Sequence, residues 1–252
     1  MTALALALDT STPVLSCALV ERDATGMRVL ATRSAGPPAV VSTVVPSLFD
    51  ELLSEAQRSM DEVAVALAGL GPGLFTGARV ALATMKAVAY ARRIPLVGAG
   101  SLEAMALAAA RRASLRAGDE LPFDAPLESD WLCPILDARK GEVYFAVHRF
   151  RTGALETRVA PTAASPSEVL RLLATDEARP QPVGAGTKVV GSGFGEREPS
   201  YPGAAEIAFL ALHQEREPVF ELARVLSLEP RYLRPPEAEV ARQKRAQSIT
   251  QR

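Results

Sequence analysis

Metal ligands are scarce in this chain, which holds two histidines and two cysteines in 252 residues. His148, His213, Cys17 and Cys133 fall into no CxxC, HExxH or HxxxH spacing, which argues against a tightly held zinc or iron site. Both cysteines sit inside apolar runs, where a buried, inert thiol is the expectation rather than a Cys-His nucleophile. Two cysteines make no disulfide framework and fit a reducing compartment. An excess of positive charge is also missing. The 28 Lys+Arg face 29 Asp+Glu, a net charge of -1, which removes the strongest sign of an autonomous nucleic-acid binder. Lysine is rare, at Lys86, Lys140, Lys188 and Lys244, and the arginine excess is read as compositional. No apolar stretch approaches the roughly 20 residues that span a bilayer. The N-terminal run Leu4–Leu8 has no basic residue before it and stops at Asp9, too short for a signal peptide. These absences lead us to expect a cytoplasmic protein with no membrane contact.

What is present is enough apolar material for a core, 48% of residues, in changing periodicities. Leu4–Leu8, Val14–Val20 and Met27–Arg33 read as three neighbouring antiparallel strands. Val44, Val45, Leu48, Leu52 and Leu53 recur at helical spacing from about Thr43 to Gln57. Val63–Ala68 is a buried strand, Phe75 to Arg92 a second helix and Pro95–Ala99 a fifth strand. Three antiparallel strands followed by helix, strand, helix and strand is the order of ribonuclease-H-like domains and of each half of actin-like (ASKHA) ATPases. The strand–helix–strand part predicts a right-handed parallel crossover. A helix from Leu102 to about Arg112 leads into a polar, exposed excursion, Ala117–Asp130. Leu132–Leu136, Val143–Phe150 and Leu155–Val159 read as a second set of strands. Ser165-Pro166-Ser167-Glu168 starts a helix with a capping box, and Lys188–Gly193 reads as a strand ending in glycines. The expectation is a two-lobe α/β fold of mixed β-sheets flanked by helices. Residues 1–101 form the first lobe, with 204–233 packing back on it; 102–203 form a smaller, degenerate second lobe; 234–252 form a basic, disordered tail.

Three segments could carry chemistry. Gly71-Pro72-Gly73-Leu74-Phe75-Thr76-Gly77 lies between a strand and a helix, where amides and the helix dipole attract anions. It is not a P-loop, because Ala78-Arg79 stands where GK[ST] is required, nor GxGxxG, because the third glycine, Gly77, comes one position late. Its small residues also leave one face of the second helix nearly flat, open to close helix–helix approach. Asp9-Thr10-Ser11-Thr12 ends the first strand, where actin-like ATPases place a phosphate- and Mg-facing hairpin, but it lacks the usual glycine. It reads either as a vestigial phosphate hairpin or as an Asx/ST turn satisfied by its own side chains, the commoner case. Asp137-Ala138-Arg139-Lys140-Gly141-Glu142 offers a carboxylate pair for Mg or acid/base work, or a plain solvated hairpin. Arg92, Arg93, Arg111 and Arg112 at helix ends are expected to complement helix dipoles and stay solvated.

Five segments in order then carry a resemblance: Leu8-Asp9-Thr10-Ser11, Gly71 to Val80, Pro95-Leu96-Val97-Gly98 with Ser101-Leu102-Glu103, Asp137 to Tyr144, and Glu229-Pro230 with Tyr232-Leu233-Arg234. Over about residues 3 to 236 the chain resembles the TsaB (YeaZ) family. The GPGxFTGxR stretch is the most specific part. The resemblance implies an actin-like fold without an active site of its own, lacking the metal-binding histidine pair of the paralogous transferase TsaD. It implies pairing with a TsaD-like transferase and a TsaE-like ATPase, with ATP and Mg used by the complex and no cofactor held by this chain alone. The complex forms N6-threonylcarbamoyladenosine at position 37 of tRNAs that read ANN codons, and tRNA is met through the complex. By this likeness the partner interface is the first two helices, through Val44, Leu48, Leu52, Phe75, Arg79, Ala81, Met85 and Val88; a homodimer through the same helices is a further expectation. Two positions depart from the pattern. Val40-Val41-Ser42 stand where a polar stretch with a His is common, and Leu74 replaces a more frequent Ser. A different class of reading is an independent ASKHA-fold enzyme, a small-molecule kinase or a glycoprotease-like peptidase. It rests on the Asp9 hairpin and the glycines at Gly71–Gly77 and Gly191–Gly195.

Overall fold

A computed structural model of the protein describes residues 2–37, 41–114, 125–191, 193 and 198–234. Its first strand, β1 (Ala3–Asp9), alternates alanine with leucine and is covered on both faces. β1 pairs antiparallel with β2 (Leu15–Asp23), which pairs antiparallel with β3 (Gly26–Ala35). After α1 (Val41–Glu55), β4 (Val63–Gly69) lies parallel beside β1; after α2 (Phe75–Arg92), β5 (Leu96–Ala99) lies parallel beside β4. The sheet order is therefore β3-β2-β1-β4-β5. The alternation in β1 serves its two neighbours. Leu4, Leu6 and Leu8 pack with Val45, Leu48 and Leu52 of α1 and Leu82 and Met85 of α2. Ala5 and Ala7 face Ala208 and Ala211 of α6 (Ala204–Gln214), where small side chains let the helix lie close to the sheet. Each fully buried leucine contributes roughly 1.5–3 kcal/mol.

The second lobe repeats the plan with one strand fewer among the described residues. β6 (Leu132–Arg139), β7 (Glu142–Arg151) and β8 (Ala154–Ala164) form an antiparallel meander. α4 (Pro166–Thr175) then leads to β9 (Gln181–Val183), parallel to β6, and the order is β8-β7-β6-β9. α4 begins with its capping box in place: Ser165 Oγ accepts from Glu168 N at 3.3 Å, and Glu168 Oε2 accepts from Ser165 N at 2.8 Å. Between the lobes runs α3 (Ser101–Ser114), buried nearly all round. It packs on β6, β7 and α6, so Leu107, Leu132, Phe150 and Ala208 share one core.

Three expectations need correction. Lys188–Gly193 is not a strand: the strand is β9, and Thr187–Val190 is a short helix, α5. Gly184, at φ 106°, turns the chain out of β9. Thr187 Oγ1 then donates to Gly184 O at 2.8 Å and winds the next turn. Arg234 does not belong to a tail, because its guanidinium donates to Ala138 O at 3.0 Å and pairs with Glu142. Leu48, Leu52, Ala81 and Met85, expected at a partner interface, are buried in this chain's own core at 7%, 0%, 0% and 0% exposure; they hold α1 and α2 to the sheet. Residues 235–252, Val40, most of Ala117–Asp130 and most of Gly191–Gly195 lie outside the described residues. Among the described residues no helix is long and apolar enough to cross a membrane.

The chain returns to the first lobe through α6 and α7 (Leu222–Ser227). Val225 enters the first-lobe core, and Lys86 Nζ of α2 donates to Leu226 O at 2.6 Å. If Met85 is a core residue, Met85→Ala should lower the unfolding free energy of the isolated chain by about 2–5 kcal/mol. Denaturant unfolding checks this; a loss seen only in the presence of a partner would return Met85 to an interface.

Candidate functional site

The turn after β1 is sealed. Asp9, Thr10, Ser11 and Thr12 are 1%, 1%, 0% and 6% exposed. A buried carboxylate is costly unless its oxygens are hydrogen-bonded, and here three donors converge on it. Asp9 Oδ1 accepts from Ser11 N at 2.7 Å and Ser11 Oγ at 2.6 Å; Oδ2 accepts from Ser101 Oγ, the first residue of α3, at 2.6 Å. Burial pushes the Asp9 carboxyl above its ordinary value, against the opposing pull of the hydrogen bonds from Ser101 and Ser11. Thr12 Oγ1 donates back to Val14 O at 2.7 Å. The turn is thus the Asx/ST kind, with its polar groups satisfied inside the chain.

The glycine-rich loop forms the lid of this turn. Leu74 N donates to Ser11 O and Thr10 Oγ1 donates to Gly77 O, both at 2.5 Å. Gly71 exchanges bonds with Ser101: its N donates to Ser101 Oγ at 3.1 Å, and its O accepts from Ser101 N at 2.9 Å. A Cβ at Gly69 would stand 2.0 Å from Asp9 Oδ2, and one at Gly77 would stand 1.9 Å from Thr10 O. Glycine is required there so that the strand end and the start of α2 can approach the turn. The loop closes on the chain's own aspartate.

Between the start of α2, the β6–β7 turn and residues 230–234 lies a cleft of about 640 Å³. A smaller space of about 280 Å³ separates Ser11, Thr12 and Pro13 from Asp137, Lys188 and Tyr201. Asp137 does not aim at either as a free carboxylate: its Oδ1 accepts from Arg139 N at 2.7 Å, and Arg139 Nη1 lies 3.5 Å from Oδ2. Glu142 pairs with Arg234. Among the described residues no three His, Cys, Asp or Glu side chains gather as a metal site. Burial pushes the thiols of Cys17 and Cys133 up to about 12, so both stay protonated. Of the helix-end arginines expected to stay solvated, Arg111 is instead buried at 8% exposure, Arg92 donates to Asp61 O at 2.8 Å, and Arg112 lies 3.5 Å from Glu198.

Of the expected interface residues, Phe75 is 39% exposed and Arg79 is exposed, while Val44 and Val88 are half-buried. The outer face of α2 is the stripe Thr76, Val80, Ala83, Thr84, Ala87 and Val88, exposed or half-buried throughout. The spacing of about four, three, one, three and one puts it on one side of a helix. This is the face left over after the core has taken Ala81, Leu82 and Met85.

The family model described as "TsaD: tRNA N6-adenosine threonylcarbamoyltransferase" matches residues 41–209, more than half of the chain. The chain belongs to the TsaD family, in its TsaB (YeaZ) branch. TsaB of Bacillus subtilis is 29% identical over 244 residues, 93% of this chain and 95% of that protein. TsaB of Haemophilus influenzae is 32% identical over 142 residues, 56% of this chain and 52% of that protein. An uncharacterized protein of Mycobacterium leprae is 33% identical over 166 residues, 65% of this chain and 39% of that protein's length. The YeaZ structure from Pseudomonas aeruginosa superposes with a TM-score of 0.71 at 23% identity, over 92% of this chain and 100% of that one. The two-lobe α/β fold is thereby shared.

Two groups at this TsaB-type site carried no role in the sequence. Ser101 closes the Asp9 turn from 92 positions away. Arg231 pairs with Glu103 of α3 from 128 positions away. A one-residue signal for such distant partners does not exist; the sequence offered only the place of Ser101 in the family pattern, and Arg231 had none. Gly77→Ala should destabilise the chain by about 1–3 kcal/mol through overpacking, although alanine in a helix interior is ordinarily better than glycine by about 1 kcal/mol. A thermal or denaturant melt showing a gain would contradict the close approach at Thr10.

Proposed function

We propose that this chain is the non-catalytic partner that binds and activates a TsaD-type transferase in forming N6-threonylcarbamoyladenosine at position 37 of tRNAs reading ANN codons. The observation that carries the reading is the internal capture of Asp9. The turn that would face phosphate and Mg in an actin-like ATPase has both carboxylate oxygens occupied by Ser11 and Ser101. Chemistry is then left to the partner, and ATP with Mg is used by the complex that also includes a TsaE-type ATPase. tRNA is met through that complex, which suits the near-neutral charge of this chain. The apolar stripe on α2 supports docking, because a small-residue face allows close helix pairing. The same stripe would support a homodimer of the isolated chain.

The competing reading, an independent ASKHA-fold kinase or peptidase, needs a carboxylate or metal cluster facing the cleft, and Asp9, Asp137 and Glu142 are each engaged by the chain itself. Reconstitution with TsaD, TsaE, the adenylate-forming enzyme, ATP, threonine and bicarbonate tests the proposal. Modified adenosine should depend on adding this chain, and unchanged product in its absence would overturn the reading. Ala87→Glu on the exposed stripe should weaken binding of the TsaD-type chain at least about tenfold while leaving the melting temperature unchanged, since it places an unpaired charge in the interface.

A further inference from the structure

Four consecutive residues after α7 touch the two lobes in turn. Arg231 N donates to Leu70 O at 2.7 Å, at the end of the first sheet, and its guanidinium pairs with Glu103 of α3. Tyr232 OH accepts from Arg79 Nε at 2.7 Å, and its ring lies 5.2 Å from that of Phe75. Leu233 packs with Leu102, Met105 and Leu136 between the lobes. Arg234 donates to Ala138 O at 3.0 Å, pairs with Glu142 and stands 5.8 Å from the Tyr144 ring, all in the second lobe. The segment runs along the wall of the 640 Å³ cleft. At its first-lobe end the Arg79 guanidinium sits 3.8 Å from the Phe75 ring centroid and 5.6 Å from that of Tyr232. That cluster is the first turn of α2, where the outer stripe begins.

We propose that residues 231–234 are a clasp that ties the separation of the lobes to the setting of Phe75 and Arg79 at the start of α2. The proposal rests on the reading that α2 receives a TsaD-type partner, and it adds that docking and lobe closure are coupled. Three facts favour coupling over a passive crossing. The contacts are made by successive residues, so a short strap cannot release one lobe without drawing on the other. Leu233 is anchored between the lobes by packing. The ring pair holding Arg79 includes one member from the strap and one from α2, so displacing the strap removes half of the holder.

The hydrogen bond, ion pair and ring contact of Arg234 all lie in the second lobe, so Arg234→Ala tests transmission. Hydrogen exchange on the full chain should quicken at least about fivefold at the amides of residues 76–79 as well as 137–140, and affinity for a TsaD-type partner should fall about 5–10-fold, the range of modest site-to-site coupling. The conservative variant Arg234→Lys, which keeps an N–H donor for Ala138 O and a positive charge beside Glu142, should retain the native exchange and affinity. Unchanged exchange at residues 76–79 overturns the clasp, and faster exchange there with unchanged affinity overturns the coupling. A native chain that binds no TsaD-type partner overturns the docking reading, while the exchange result still decides the clasp. Should Arg234→Ala not fold, Tyr232→Phe tests the strap from its other end: faster exchange at residues 137–140 supports it and no change there overturns it.

Discussion

A carboxylate with no exposed surface organises the first lobe. Asp9 ends the central strand of its sheet, and burying it without partners would cost several kcal/mol. Its three donors dictate where neighbouring segments stand. Ser101 must open α3 directly above it, and Gly71 must lie against Ser101. The loop that begins at Gly71 then crosses the turn closely enough for Leu74 N to reach Ser11 O. The start of α2, and with it the exposed stripe and Arg79, follows from that crossing. The strap joins the same construction, because Leu70 O accepts from Arg231 N.

This arrangement closes the turn after β1 from within the chain. In the sealed turn, loop amides and hydroxyls that would meet an external phosphate are spent on the chain itself. The outward stripe of α2 from Thr76 to Val88 is threonine, valine and alanine, suited to packing against another helix, with Phe75 and Arg79 exposed at its start. Each of the two helices therefore has one face on the sheet, α1 against β2 and β3 and α2 against β4 and β1, and another toward solvent.

Much of the fold is readable from residue patterns. The strand–helix order leads to the sheet order found, the bounds of α2 follow from its periodicity, and Ser165-Pro166-Ser167-Glu168 marks the start of α4 by local hydrogen bonding. Local signals fail where distant partners decide. Val189 and Val190 look like strand residues, yet the turn at Gly184 and the bond from Thr187 wind them into a helix. Leu48, Leu52, Ala81 and Met85 could serve either a core or a partner, and hydrophobic spacing alone does not say which face meets the sheet. α3 carries Glu103 and Arg111 in a buried helix, and the ion pair that makes Glu103 tolerable comes from Arg231 near the far end of the chain. The Asp9 turn was legible as a choice between two readings, and Ser101 settles its hydrogen bonding.

The central claim is that the Asp9 turn is closed to phosphate. Calorimetric titration of ATP·Mg onto the isolated native chain tests it most directly. The account predicts no saturable binding that depends on Asp9. Tight, saturable binding of ATP·Mg that disappears in Asp9→Ala would contradict it.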